Sequence, residues 1–191
     1  TIHIKIDTGM SRLGFVSKIE TLDIINKIKL LPKVFLEGIY THFADADSCK
    51  KEYTFRQLTQ FKNFLKLLKD NKIDIPIKHA ANSAGMIDHP DAHFDAVRPG
   101  IALYGLYPSK YINKNKIRLK PVMKLKVEVA QVKTIPKGTS VGYGCRFTAD
   151  KKIKIATLPI GYADGFTRMV RNGEVIVKGY KAPIIGTICM D

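Results

Sequence analysis

The chain has 191 residues, 45% of them hydrophobic, which is enough to bury a substantial core and excludes a disordered composition. It lacks an apolar run of about 18 residues that could cross a bilayer, and its three cysteines match neither a disulfide framework nor a zinc site, so we expect a cytoplasmic protein. The formal charge of +15 comes mostly from scattered lysines without interleaved aromatic residues. That pattern favours a solvated surface over a nucleic-acid-binding module.

The first element is a predicted strand over residues 2–7, followed by a loop over 7–15 that carries two glycines and a charge. A strand that feeds such a loop is typical of the active-site edge of an α/β barrel. A capping box at Ser17–Glu20 predicts the start of a helix that ends before Pro32. Apolar residues recur on one face of this helix at Ile19, Leu22, Ile25 and Ile28.

Strands and helices then alternate as far as residue 108. Strands are predicted over 34–40, 78–81 and 94–98, and helices over 51–70 and 84–88, the second capped by Asn82-Ser83. This alternation predicts a parallel α/β arrangement, but four strands cannot close an eight-stranded barrel. Residues 1–108 are therefore expected to be the second half of a (β/α)8 barrel. Both ends interrupt patterned segments, so we expect an internal fragment of a longer protein.

Helical patterning stops after Pro108. Residues 109–118 are polar and basic and are interpreted as a linker, and residues 119–191 are predicted to form part of a mainly β domain. Short strands are predicted around residues 127–132, 153–158, 175–177 and 183–188. Glycine-containing turns separate them at Pro136-Lys137-Gly138, Asn172-Gly173 and Lys178-Gly179.

Two backbone segments could bind an anion. Ser83 begins a short helix, and Gly100 follows Arg98-Pro99, where backbone N–H groups lie open to a ligand. Taken singly, each segment is better explained by helix capping or by a turn. Tyr143 lies between two glycines and could act as an acid or base beside a cation, although a packed turn tyrosine is the plainer interpretation, and Tyr162 is a similar case.

Metal binding is weakly indicated. His42 with Asp45 and Asp47 has the spacing of a poor metal signature, and a histidine in a hydrogen-bonded loop explains it equally well. His89 and His93 are four residues apart, but Pro90 argues against a helix that would turn both toward one ion. No metal site is predicted.

Seven segments taken together resemble the alanine racemase family, whose members use pyridoxal 5′-phosphate. In order they are IKIDTGMSRLGF, THFADAD, HAANSA, VRPGIALYG, VGYGCRF, LPIGYADG and GTICMD, and they span nearly the whole chain. The resemblance implies a barrel domain followed by a β domain. It also implies a homodimer whose active sites lie between the barrel of one subunit and the β domain of the other. The implied reaction is a two-base interconversion of L-alanine and D-alanine that supplies peptidoglycan synthesis.

The family's site residues are carried over by motif. The implied cofactor contacts are His42, His79, Asn82, Ser83, Arg98, Gly100, Ile101 and Arg12. Arg12 and Met190 would contact the substrate, Tyr143 would be a catalytic base in the partner's site, and Asp47 and Tyr162 would line the entrance. Lys5 matches a lysine that is often carbamylated in this family.

One departure limits what this chain could do alone. The family's second base is the lysine that holds the cofactor, in a K-x-N/D-A-Y-G-H-G motif, and no lysine in this sequence matches it. We therefore expect the 191-residue chain by itself to be inactive. A racemase with broader or different specificity, for example for serine or lysine, remains an alternative. A barrel decarboxylase is less favoured, since HAANSA and VRPG follow the racemase pattern.

Overall fold

A computed structural model describes residues 1–170 and 172–191 of the chain, which divides into two units. In the first unit, parallel strands alternate with helices. The first unit spans Thr1–Lys124. Its strands are β1 (Ile2–Asp7), β2 (Phe15–Val16), β3 (Leu36–Tyr40) and β4 (Ile77–His79), joined in the order β2-β1-β3-β4. Every pairing in this sheet is parallel. The predicted parallel α/β arrangement is thus present.

The helices of this unit are α1 (Glu20–Lys29), α2 (Glu52–Asp70) and α3 (Ser83–Asp88), with 3₁₀ turns at Pro90–Ala92 and Ile101–Tyr104. The prediction of α2 is confirmed to within one residue at its start. Asn82 is the N-cap of α3, where its side-chain oxygen accepts from the N–H of Gly85 at 2.9 Å, as the sequence predicted.

Two local predictions in this unit were wrong. The capping box at Ser17 does not form, because the chain bends after β2 and Thr21 donates its hydroxyl to the carbonyl of Val16 at 2.7 Å, so the helix begins only at Glu20. The strand predicted over 94–98 is reduced to a single bridge between Ala96 and His79. Phe94 lies at φ 49°, a left-handed turn conformation, which leaves too little extended backbone for a ladder.

The core of the first unit lies between the sheet and the helices. Ile6 and Ile39 of the sheet face Phe61 and Phe64 of α2, and all four are at most 2% exposed. Residues 109–118, interpreted as a linker, pack on this unit. Ile112 is buried there, and the hydroxyl of Ser109 donates to the carbonyl of Asp47 at 2.5 Å.

The second unit, Leu125–Asp191, consists of short antiparallel strand pairs. They are β5 (Gln131–Ile135) with β8 (Ile153–Thr157), β6 (Ser140–Val141) with β7 (Phe147–Thr148), and β9 (Glu174–Val177) with β10 (Tyr180–Pro183). The predicted Lys178-Gly179 turn joins β9 to β10 with positive φ at both residues, as a two-residue hairpin of primed type requires. The last predicted strand lies earlier than expected, since β10 ends at Pro183.

Among the described residues, no helix is both long and apolar enough to span a lipid bilayer.

Phe61 provides a test of the core. Phe61→Ala removes a fully buried ring and should destabilise the protein by about 3–5 kcal/mol, seen as a lower urea midpoint. Phe55→Ala on the same helix is the matched control, because that ring is 54% exposed, and it should cost about 1 kcal/mol or less. Equal losses in the two variants would contradict the assigned core.

Candidate active site at the carboxyl ends of the parallel strands

The guanidinium of Arg98 is the centre of the candidate site. Its Nη2 donates to the carbonyls of Thr41 at 2.8 Å and Ala80 at 3.1 Å, just beyond the carboxyl ends of β3 and β4. Nη2 also lies 3.2 Å from Nδ1 of His42, and Nη1 contacts Nδ1 of His79. Among the described residues no carboxylate forms an ion pair with Arg98. This cation is therefore held entirely by neutral acceptors.

Burial and the neighbouring cation determine the state of the two histidines. Burial, then Arg98 and His3, lower the pKa of His79 to about 4, against the weaker opposing effect of Asp95. Burial, together with Arg98, Arg12 and Lys5, also lowers the pKa of His42 from its ordinary value. Both rings are therefore neutral at neutral pH, and each can offer its Nδ1 lone pair to Arg98.

An aromatic ring supports this cluster from one side. Tyr40, the last residue of β3, stacks on His79 with ring centroids 4.9 Å apart and planes 4° from parallel. The Arg98 guanidinium carbon lies 5.0 Å from the same ring centroid, a cation–π arrangement. Sequence reasoning missed Tyr40, because nothing but its place at a strand end distinguishes it.

Ser83 and Gly100 are brought together as the anion prediction required. The Ser83 hydroxyl accepts from the N–H groups of Gly100 at 2.8 Å and Ala102 at 3.2 Å. A Cβ built on Gly100 would meet only the Ser83 hydroxyl oxygen, at 4.0 Å, so the space beside this backbone is open. The Arg98 side chain does not contact these two segments but donates to carbonyls at the neighbouring strand ends. The backbone N–H of Arg98 donates to the carbonyl of Ala81 at 2.9 Å.

Lys5 of β1 and Arg12 of the loop that follows β1 are near the same cluster, since both act on the pKa of His42. The Lys5 ammonium, on the nearly buried side chain of β1, donates to the carbonyl of Leu13. The loop can return over Lys5 because Gly14 lies at φ 119°, where a Cβ would meet the Lys5 carbonyl oxygen at 2.8 Å. Burial lowers the pKa of Lys5, Asp7 opposes that effect, and Arg12 and Arg98 lower the pKa further. Arg12 itself is exposed.

Asp7 organises this loop. Its Oδ1 accepts from the N–H groups of Gly9, Met10 and Ser11 at 2.9, 3.0 and 3.1 Å. Burial alone would raise the pKa of Asp7, but these N–H groups and Lys5 together hold it below the ordinary value.

Gln57 of α2 connects the loop after β1 with the loop after β3. Its side chain is fully buried, accepts from the N–H of Ala44 at 2.9 Å and donates to the carbonyl of His42 at 3.1 Å. It also donates to the Thr8 hydroxyl at 3.3 Å. Sequence reasoning missed this residue, although a signal was available, because Gln57 lies on the apolar face of α2, one turn before Phe61.

The remaining predicted site residues lie apart from this cluster or in the second unit. Asp47 sits in the loop after β3, where its carbonyl accepts from Ser109. Tyr143, 74% exposed, lies between Gly142 and Gly144, both at positive φ. In the second unit, Tyr162 donates its N–H to the carbonyl of Cys189 at 3.0 Å, beside Met190. Tyr162 and Met190 are thus brought together, and Tyr143 presents an open ring.

No metal-binding cluster of three or more His, Cys, Asp or Glu side chains occurs among residues 1–170 and 172–191. His93 contacts the carbonyl of Met86 at 2.8 Å through its Nε2, while His89 packs against the rings of Phe43 and Phe55.

Comparison with known protein families shows which family this chain resembles. A family model described as "Alanine racemase, N-terminal domain" matches residues 1–108, and one described as "Alanine racemase, C-terminal domain" matches residues 122–191. The chain belongs to the alanine racemase family. The expected fold, part of an α/β barrel followed by a mainly β unit, agrees with that assignment.

Similar proteins and structures support the same family. The alanine racemase of Methanococcus maripaludis is 57% identical over 190 residues, which cover 100% of this chain and 51% of that protein. The structure of alanine racemase from Clostridium difficile 630 has a TM-score of 0.88 at 44% identity and covers 99% of this chain and 49% of its own. A Bacillus anthracis alanine racemase with bound L-Ala-P has a TM-score of 0.86 at 38% identity. The chain spans about half the length of the curated relatives it matches.

The neutral state of His79 predicts how stability depends on pH. A histidine with a pKa of 6.5 in the unfolded chain and about 4 in the folded chain stabilises the fold fully above pH 6.5. That contribution, at most about 3 kcal/mol, is lost as the pH falls from 6.5 to about 4. Nuclear magnetic resonance titration of the ring should give a midpoint near 4, and His79→Gln should flatten the pH dependence of unfolding. A midpoint near 6.5 would contradict the assigned environment.

Proposed function

We propose that the complete protein containing this chain interconverts L-alanine and D-alanine with pyridoxal 5′-phosphate as cofactor. The observation that carries the proposal is the partly buried Arg98 guanidinium, held by neutral acceptors, with the Ser83–Gly100 pair close by in the chain. A cation with spare donors, together with a backbone segment that has open space beside Gly100, suits a ligand with a phosphate and a ring nitrogen.

The residues present fit the cofactor. The phosphate would be bound by the Ser83 hydroxyl and by the N–H groups of Gly100 and Ile101, where the structure leaves open space beside Gly100. Asn82 would keep this segment in place through its contacts with Gly85 at 2.9 Å and with the carbonyl of Phe43 at 3.4 Å. An anion accepting from Gly100 would replace the Ser83 oxygen as its acceptor.

Arg98 would face the pyridine nitrogen. An arginine has five N–H donors, and within the described part of the chain the Nε–H and one hydrogen of Nη1 have no protein acceptor. Because arginine stays protonated, Arg98 would donate a hydrogen bond to that nitrogen without transferring a proton. His79 supports the guanidinium, and the neutral ring of His42 would lie against the cofactor.

When bound, pyridoxal 5′-phosphate supplies the electron-withdrawing ring that makes the α-proton of an amino acid removable. Racemisation then needs a base on each face of the α-carbon. The Tyr143 hydroxyl would serve one face. Arg12 and the backbone of Met190 would bind the substrate carboxylate side, and Tyr162 and Asp47 would line the entrance.

Lys5 would be carbamylated in the working enzyme. The neutral amine would add to the carbon of carbon dioxide and release one N–H proton to solvent. Burial, together with Arg12 and Arg98, lowers the pKa of Lys5 and so favours the neutral amine. The product carries a negative charge that would hold Arg12 in place. Addition of ¹³C-bicarbonate to the complete protein should give a carbamate carbon signal that is lost in Lys5→Met, and absence of that signal would refute the modification.

The complete protein would act as a homodimer in the cytoplasm. The exposed ring of Tyr143 is available to a site supplied by a second chain, and Cys49, Cys145 and Cys189 are all free, as in a reducing compartment. Its product would serve peptidoglycan synthesis. Sedimentation analysis tests the homodimer, and cell fractionation tests the cytoplasmic location. D-alanine auxotrophy of a deletion strain tests the role in peptidoglycan synthesis.

A complementation experiment tests the function and the shared site together. In the complete protein, Tyr143→Phe should lower kcat by about 100-fold or more, since a general base is lost, while Arg98→Gln should also impair the reaction. Mixing the two variants forms heterodimers in which one of two sites regains both residues, so about a quarter of the wild-type activity should return. No recovery would contradict a site shared between subunits.

Controls separate the alternatives. Tyr180→Phe changes another exposed tyrosine of the second unit and should leave activity unchanged. A panel of alanine, serine and lysine distinguishes an alanine racemase from one of other specificity. The 191-residue chain alone should be inactive. If the complete protein with added cofactor racemises none of these amino acids, the proposal is wrong.

A further inference from the structure

A chain of side-chain contacts continues beyond His79 to the far end of β3. The Nε2 atom of His79 lies 2.7 Å from Nδ1 of His3, and Nε2 of His3 lies 3.0 Å from Oε2 of Glu37. With the contact between Arg98 Nη1 and His79 Nδ1, four side chains form one continuous series. Neither His3 nor Glu37 belongs to the sequence motifs that identify the family.

The two ends of this series determine its polarity. Arginine can only donate hydrogen bonds, so Nδ1 of His79 must accept and, in a neutral ring, Nε2 must carry the proton. That Nε2–H donates to His3, so Nδ1 of His3 accepts and its Nε2 carries the proton. The Glu37 carboxylate can only accept, and it receives that last N–H. A proton added to either ring would set two donors face to face somewhere along the series.

The backbone provides room for this arrangement at one position. Gly38 pairs with His3 in the sheet register, and a Cβ built on Gly38 would lie 2.3 Å from His3 Nδ1 and 2.4 Å from Cε1. No side chain can occupy that space while the His3 ring is in place. A residue other than glycine would force the ring to swing away, and the contact with His79 would be lost.

We propose that His3 and Glu37, accommodated by Gly38, are positioning residues that hold His79 in its Nε2–H tautomer and so orient the Arg98 guanidinium. The effect of these residues on catalysis rests on the proposed racemase function. The tautomers of His79 and His3 can be measured in the protein without cofactor.

Burial and stacking support the role of His79 in this series. His79 is 6% exposed and its ring stacks on Tyr40, which restricts the movement of the ring. Burial lowers the pKa of His79 to about 4, which keeps the ring neutral as the series requires. The His3 and Glu37 side chains are 29% and 38% exposed, so water weakens the outer contact, and we expect a moderate effect from its loss.

The tautomers can be measured directly in the complete protein with ¹⁵N-labelled histidine. Nuclear magnetic resonance should find Nδ1 unprotonated and Nε2 protonated in both His79 and His3. Glu37→Gln replaces an obligate acceptor with a group that can also donate, and Gly38→Ala displaces the His3 ring. Each should shift His79 toward a mixture of tautomers and lower kcat/KM of the holoenzyme about three- to tenfold, the effect of one hydrogen bond.

Glu174→Gln is the matched control. Glu174 also accepts a hydrogen bond, from Lys181 at 2.7 Å, but lies in β9 of the second unit, so this variant should change neither the His79 signals nor kcat/KM. Glu37→Asp, which keeps the carboxylate, should retain more of the His79 pattern than Glu37→Gln.

The outcomes separate this inference from the proposed function. A wild-type His79 protonated at Nδ1, or a His79 pattern unchanged in both Glu37→Gln and Gly38→Ala, would overturn the inference even in an active racemase. If the complete protein has no racemase activity, the proposed function fails, while the ¹⁵N pattern still decides whether the series has the stated polarity.

Discussion

Partial burial of the Arg98 cation is the constraint on which the rest of the site depends. A buried charge is costly unless it is surrounded by hydrogen-bonding partners, and within the described residues those partners are carbonyls and imidazoles rather than a carboxylate. The carbonyls come from the ends of β3 and β4, so both strands must end at the same edge of the sheet. The two histidines remain neutral, because burial and the Arg98 charge lower the pKa of both rings and outweigh the opposing effect of Asp95 at His79.

Other groups that could bind an anion lie at the same edge of the sheet. In a parallel sheet the loops that follow the strands meet at their carboxyl ends. Here these are the loop after β1, the loop after β3 with His42, and the segment after β4 with Ser83. Gln57 holds two of these loops from the helix behind them. Among the described residues, no carboxylate forms an ion pair with Lys5, Arg12 or Arg98, and this excess of positive charge suits a ligand carrying phosphate and carboxylate groups.

The sequence motifs single out residues that the structure brings into contact, but they do not include the residues that support them from behind. His79, Ser83 and Arg98 lie in short segments whose pattern can be recognised. In the structure Arg98 contacts His79, and Ser83 contacts Gly100. His3, Glu37 and Tyr40 are ordinary strand residues, distant from Arg98 in sequence, and their part depends on strand register. The capping box at Ser17 and the strand over 94–98 failed because a hydroxyl contact and a left-handed turn outweighed the local pattern.

By itself, the sequence determined the alternation of strands and helices, the change to β structure after residue 108 and the family, because periodicity, turn residues and motifs are local properties of the chain. Only the tertiary structure decided that Arg98 donates to carbonyls at two strand ends, that Gln57 connects two loops and that a series of histidine contacts reaches Glu37. These contacts join residues up to 76 positions apart, as between His3 and His79. They arise from the register of parallel strands and from the space that Gly38 leaves, and neither can be obtained from local pattern.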